Sequence, residues 1–133
     1  MVRHANNREV SRRQRDRFPH PYTRADAERW IAFAKQQDPQ TQFAIEVDGE
    51  AAGGIGLEPG SDIERRTVEI GYWLGEDVWG RGIAAAVRAV TGYGFEALDL
   101  TRVFAVLSRA VPRRYASWRS AATCGRGRCA GAR

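Results

Sequence analysis

Residues 71–90 read GYWLGEDVWGRGIAAAVRAV, and the order of events along them decides the architecture. The stretch begins inside TVEIGYWLG (67–75), a run of β-branched and aromatic residues that predicts a strand. EDVWGRG interrupts it as a loop. From Ile83 to about Leu98 an apolar stripe at Ile83, Val87, Val90 and Gly94, closing on Ala97 and Leu98, predicts a helix. TRVFAVL (101–107) predicts another strand. Strand, glycine loop, helix and strand make a βαβ-type unit, and such units are joined right-handed.

The loop is the chemically suggestive part. Gly80 and Gly82 bracket Arg81 at the helix entrance. Glycines there let the backbone bend sharply and approach a ligand closely. The first helical turn offers N–H groups without intrahelical partners, backed by the positive end of the helix dipole. Arg81 adds a full positive charge, and Ala84, Ala85 and Ala86 keep the turn free of bulk. Together these features predict a phosphate cradle. It is not a P-loop, because no Gly-Lys-Ser/Thr follows, nor a dinucleotide fingerprint, because G-x-G-x-x-G is absent. An ordinary turn is the competing reading of the two glycines alone.

Upstream, MVRHANNREVSRRQRDR (1–17) reads as the end of a helix and a loop, and FPHPYT (18–23) as a stiff proline connection. Thr23 opens T-R-A-D, a capping-box-like start, and Ala27, Trp30, Ile31 and Ala34 predict an amphipathic helix over 24–36. FAIEV (43–47) alternates as a strand. Asp48-Gly49 makes a turn, AAGGIGLE (51–58) returns as the hairpin partner, and SDIERR follows as a polar loop.

Composition bounds the class. With 43% apolar and 28% charged residues, the 133-residue chain falls among globular proteins, one small domain at most. No apolar run approaches the roughly 18 residues of a membrane span and no signal-peptide core follows Met1, so a soluble cytoplasmic protein is expected. The net charge of +5 is unevenly spread. Residues 1–107 hold 14 of the 21 basic residues and all 16 acidic ones, a balance of −2. The tail, 108–133, carries seven arginines and no Asp, Glu or Lys. Both cysteines, Cys124 and Cys129, lie in that tail with no nearby histidine, so no metal site is expected.

Taken whole, VEIGYWLGEDVWGRGIAAAVRAVTGYGFEALDLTRVFAV (68–106), supported by RFPHPYTRADAERW upstream, resembles the GNAT N-acetyltransferase superfamily. Within it the chain is most similar to the branch of Rim-type enzymes that acetylate ribosomal proteins. The superfamily's pyrophosphate loop reads Gln/Arg-x-x-Gly-x-Gly/Ala. Here Trp79 stands in the first slot, followed by Gly80, Arg81, Gly82, Ile83 and Ala84. The W-G-K/R-G form is common in that branch.

The resemblance implies an α/β fold with a mixed, mostly antiparallel sheet flanked by helices. It implies acetyl-CoA as the acetyl donor, lying where strand 67–75 splays from strand 101–107. The pyrophosphate would sit on the amides of Arg81–Ala84, and the pantetheine would run along Tyr72, Trp73 and Leu74 like an extra strand. A primary amine of the acceptor, a protein N-terminus or a small molecule, would attack the thioester directly. A backbone amide near Trp73 or Leu74 would stabilise the oxyanion. Glu69 is the candidate base that takes the amine's proton, against a plain reading as a solvated strand carboxylate. Trp73 and Trp79 could wall the cleft or belong to the core. The acceptor and the oligomeric state are not legible.

Family members continue past the last strand with N-x-A-S-x-R-V-L-E-K-x-G-[YF]-x-x-E-G, and the visible tail does not match it. Yet Trp118–Gly127 can be encoded so that reading one nucleotide earlier gives LEKCGYVREG. Extending back over Arg113–Ser117 permits A-S-x-R-V in register, although the shifted codon at Val111 cannot encode the family's Asn. The expectation is therefore a one-nucleotide frame shift near Leu107, so that 1–107 is a partial acetyltransferase domain and 108–133 is an out-of-frame, poorly ordered tail. Met1 would likewise fall inside the family's first helix, leaving the fold incomplete at both ends. Two rival readings remain: a catalytically impaired CoA-binding fragment, and an arginine-rich nucleic-acid-binding arm, which explains the charge but not the hidden peptide.

Overall fold

The structure, a computed structural model, describes residues 1–106. Leu107 and the arginine-rich tail, with every expectation attached to them, lie outside the described residues. Two short helices, α1 (Val2–Ala5) and α2 (Arg8–Ser11), open the chain, and α3 spans Arg24–Lys35. The strands are β1 (Gln42–Val47), β2 (Glu50–Pro59), β3 (Thr67–Leu74) and β4 (Arg102–Phe104), with α4 (Ile83–Ala97) before the last. Single 3₁₀ turns occupy Asp62–Glu64 and Glu76–Val78 within the two expected loops. The sheet order is β1-β2-β3-β4.

The α/β class and the mixed sheet agree with the sequence reading. β1 and β2 are antiparallel, joined at Asp48 and Gly49, both in the left-handed region. β2 and β3 also run antiparallel, because Gly75 N–H donates to Ala52 O (2.8 Å) while Gly60 N–H donates to Thr67 O (3.0 Å). β3 and β4 are parallel, as a βαβ connection requires, with Thr67, Val68 and Glu69 opposite Arg102, Val103 and Phe104. The strand expected over 101–107 is shorter than its pattern suggests and ends at Phe104. Pairing with β3 stops there, and Ala105 and Val106 leave the ladder.

The described residues divide into two compact units. The first comprises Met1–Gly56 with Tyr72–Arg81, and the second Leu57–Gly71 with the described residues from Gly82 onward. In the first, Ala5, Val10, Tyr22, Ala27 and Trp73 form the core, flanked by Met1, Val2, Phe18 and Trp79. Phe18 stacks on Tyr22 (centroids 5.4 Å apart) and meets Trp73 edge-on (5.7 Å), geometries that add to plain area burial. In the second unit Leu57, Val68, Ile70, Val87, Val90 and Leu100 are buried. Gly94 of α4 admits the Leu57 and Leu100 methyl groups, and an added Cβ there would stand 2.9 Å from Leu100 Cδ1. The α4 stripe is thus Val87, Val90, Thr91 and Gly94; Ala97, expected to close it, is exposed, because the helix's last turn reaches solvent. Arg66 fastens the turn after α4, donating to the backbone and carboxylate oxygens of Asp99 (2.9 Å each).

Two polar residues, Thr41 and His4, are buried in the first unit. His4 is 3% exposed at its side chain. Its Nδ1 lies 3.1 Å from Asp77 Oδ1 and its Nε2 3.2 Å from Glu50 Oε1, the latter off the line a hydrogen bond needs. Arg3 reaches both carboxylates, at 3.3 Å and 3.7 Å.

Helix α3 starts as its sequence dictates. Thr23 Oγ1 accepts from the Asp26 amide, and the Asp26 carboxylate accepts in turn from Thr23 N–H (2.8 Å), a reciprocal capping box. The Thr23 side-chain and backbone hydrogen bonds, with help from Arg29, hold the Asp26 carboxyl below the usual aspartate range. The folded form therefore gains stability once this group ionises, and loses it as pH falls through the folded value. Thr23→Ala should destabilise the protein by about 1 kcal/mol at neutral pH. Thermal unfolding of the two proteins side by side checks this, and the gap should narrow as the buffer is acidified.

Candidate functional site

The first unit holds the strand edge and the start of the loop. In an extended strand the carbonyls of residues i and i+2 leave on the same side. Trp73 O faces Gly53 and Gly75 N–H bonds Ala52, so the odd positions of β3 face β2. Tyr72 and Leu74 accordingly turn their backbone groups to the opposite side, away from β2. Tyr72 O accepts from Gln14 Nε2 (3.2 Å), and Leu74 O accepts from Trp79 Nε1 (2.8 Å). The Trp73 ring is buried in the aromatic cluster, with its Nε1 edge against Gly54.

Trp79 is half-buried and held on two sides. Its N–H bonds Leu74, and the Arg13 guanidinium lies over its ring at 4.3 Å. A cation on an indole face is favourable, more so when water is excluded. Arg13 is itself fixed by Glu9, through the backbone carbonyl (2.8 Å) and the carboxylate (3.3 Å). Beyond Trp79, Gly80 takes φ +81°, and exposed Arg81 pairs with Asp48 of the β1–β2 turn (2.9 Å).

The second unit holds the rest. Glu69 is half-buried at the last paired position of β3, opposite Phe104. Gly82 is the N-cap of α4 in the left-handed region, φ +82°, with no side-chain cap. Ala85 N–H closes the first turn on Gly82 O (3.0 Å), so the amides of Ile83 and Ala84 precede the first intrahelical bond. No acidic residue lies in that turn to neutralise it. A Cβ added at Gly82 would meet nothing within 4 Å, so space stands open at the helix entrance. That space and those donors fit a phosphate.

Sequence reasoning missed Gln14, Arg13, Asp48 and His4. Gln14 lies 58 residues from its acceptor, and no spacing rule links a polar side chain to a carbonyl so distant. His20, within the proline connection, is exposed. Among the described residues no helix is long and apolar enough to cross a membrane.

A parallel βαβ unit carrying a glycine loop at the helix entrance, inside a mostly antiparallel sheet, is the arrangement that the sequence resemblance implies, and the comparison with known families agrees. The chain belongs to the GNAT acetyltransferase domain family, whose model matches residues 1–125. YdaF of Bacillus subtilis (strain 168), whose name describes a ribosomal N-acetyltransferase, is 40% identical over 74 residues, 50% of this chain and 40% of YdaF. RimJ of Mycobacterium smegmatis, solved with CoA-disulfide, superposes with a TM-score of 0.69 at 22% identity, over 86% of this chain and 58% of RimJ. A crystal structure described as a probable acetyltransferase matches at 31% identity and TM-score 0.58, over 71% of this chain and 55% of its own. The chain thus spans about half the length of these relatives. The likeness to RimJ is one of fold, and the name of YdaF points the same way as the Rim-type resemblance of the sequence.

Proposed function

We propose that this chain moves an acetyl group from acetyl-CoA to a primary amine, by direct attack of the amine on the thioester. The observation that carries the reading is the start of α4: left-handed Gly82, with open space at its Cβ position, leads into a helix whose first amides lack intrahelical partners and whose first turn holds no acidic residue. The pyrophosphate would rest on the amides from Arg81 to Ala84, with Ile83 at the helix entrance and the Arg81 charge beside it. The pantetheine would follow the backbone of Tyr72, Trp73 and Leu74 along the side of β3 that faces away from β2. Trp79 then acts as the strut that sets the loop against this edge rather than as a wall of the cleft.

An attacking amine must first lose a proton. Glu69 sits where β3 and β4 part, and we assign it the base role, directly or through water. The acceptor is a primary amine, with a ribosomal-protein N-terminus the first to try in view of YdaF's name. The cytoplasm is the compartment in which such a reaction has its substrates. The family match gives no support to the nucleic-acid reading or to a purely non-catalytic one. Residues 1–107 would be the working domain, with 108–133 out of frame; sequencing the DNA between the codons for Thr101 and Trp118 decides that point.

Calorimetric titration with acetyl-CoA, followed by thiol release with peptides bearing a free N-terminal amine, tests the function. Saturable binding and amine-dependent release are expected. Glu69→Gln should lower turnover by about 100-fold while leaving acetyl-CoA affinity intact. A wild-type chain that is folded yet shows no saturable acetyl-CoA binding would sink the reading.

A further inference from the structure

The two carbonyls that β3 turns toward the proposed thioester, Tyr72 O and Leu74 O, are both taken by side chains. Gln14 comes from the segment after α2 and Trp79 from the loop after β3, at 3.2 Å and 2.8 Å. A main-chain carbonyl presents two lone pairs, and an oxygen that gathers negative charge as a tetrahedral intermediate forms is repelled by such lone pairs. An N–H aimed at each carbonyl offsets that repulsion. Trp79 and Gln14 differ in origin but do the same thing two residues apart on one edge. That repetition, together with the Arg13 cation that fixes Trp79, argues against a chance contact.

We propose that Gln14 is a positioning residue for acetyl transfer: it caps the Tyr72 carbonyl, as Trp79 caps Leu74, so that this edge of β3 does not oppose the charge developing on the thioester oxygen. The role rests on the acetyl-CoA reading above. Gln14 touches neither the acetyl group nor the amine. It acts through the Tyr72 peptide, and its loss should therefore alter the reactivity of bound acetyl-CoA more than its affinity. Bond making is unchanged: the amine nitrogen adds to the thioester carbon, the C–O double bond becomes the oxyanion, and its collapse expels the CoA thiolate, which takes up a proton.

The test uses acetyl-CoA labelled with ¹³C at the acetyl carbonyl, bound to the full chain, with the bound carbonyl chemical shift as the readout. Gln14→Met keeps the side chain's length without the donor, and Gln14→Lys restores a donor at similar reach. In the wild type the bound carbonyl should move downfield of free acetyl-CoA, as a polarised thioester does. Gln14→Met should lose most of that displacement, hold acetyl-CoA within about twofold of wild type, and lower amine-dependent thiol release by about tenfold. Gln14→Lys should recover most of the displacement. Circular dichroism of each variant shows that it is folded, and Trp79→Phe, which keeps the ring under Arg13 but removes the N–H, should reproduce the loss seen in Gln14→Met. An unaltered carbonyl shift in folded Gln14→Met overturns the role while leaving the acetyl-CoA reading in place. A wild type that does not bind labelled acetyl-CoA overturns both.

Discussion

Gly82→Val should weaken acetyl-CoA binding by about 100-fold or more, equivalent to roughly 2.7 kcal/mol, while the protein stays folded. Gly82 caps α4 at φ +82°, where a β-branched residue is strained by about 1–3 kcal/mol. No neighbour lies within 4 Å of the added Cβ, so a clash inside the protein is not the cause. The loop would instead relax toward negative φ, and the Ile83 and Ala84 amides would lose their common direction. Gly82→Asn separates conformation from bulk, since Asn tolerates the left-handed region far better. If conformation governs, the Asn variant retains much more affinity than the Val variant in the same titration. A Gly82→Val protein that binds acetyl-CoA like the wild type would place the phosphate elsewhere.

The second large effect concerns stability. Gly53→Val should destabilise the fold by about 3 kcal/mol or more, and could prevent expression of folded protein. A Cβ at Gly53 would fall against the Trp73 carbonyl and stand 3.0 Å from Leu74 Cδ1. Most overpacked sites relieve themselves by turning a side chain. Here the obstacle is main chain, and the neighbouring Ala52 carbonyl already binds Gly75 N–H at 2.8 Å, which pins the two strands together. Gly71 provides the comparison, because a Cβ there meets nothing within 4 Å and its φ is ordinary. Gly71→Ala should change the urea midpoint by no more than about 0.5 kcal/mol in free energy. Equal behaviour of the two variants would mean that β2 and β3 are not packed as described.

The order of strands and helices was legible because the pattern within each segment and the turn chemistry between segments agree. Thr23 and Asp26 announced α3, Asp48-Gly49 the hairpin, and the glycine loop the change from a period of two to one of 3.6. Registry was less legible. β2 carries an extra residue, since Ile45 lies opposite Gly53 but Glu46 opposite Ala51, and its glycines offer no side-chain alternation from which a bulge could be read. The end of β4 was also hidden, because TRVFAVL keeps its β propensity past the point where its partner strand stops pairing. Among the candidate site residues the loop positions and the β3 stretch rest on local pattern and family resemblance. Their supports, Arg13 and Gln14, act on a ring and a carbonyl far along the chain, and such pairings exist only once the chain has folded.

His4 carries a consequence of confinement. Its ring is enclosed, with Asp77 and Glu50 oxygens about 3 Å from its two nitrogens and the Arg3 guanidinium beside both acids. Gly75 leaves the ring no room to withdraw, since a single carbon added there would already crowd it. The two positions are therefore constrained as a pair: homologous chains that carry a larger residue in place of Gly75 should give up the histidine with it.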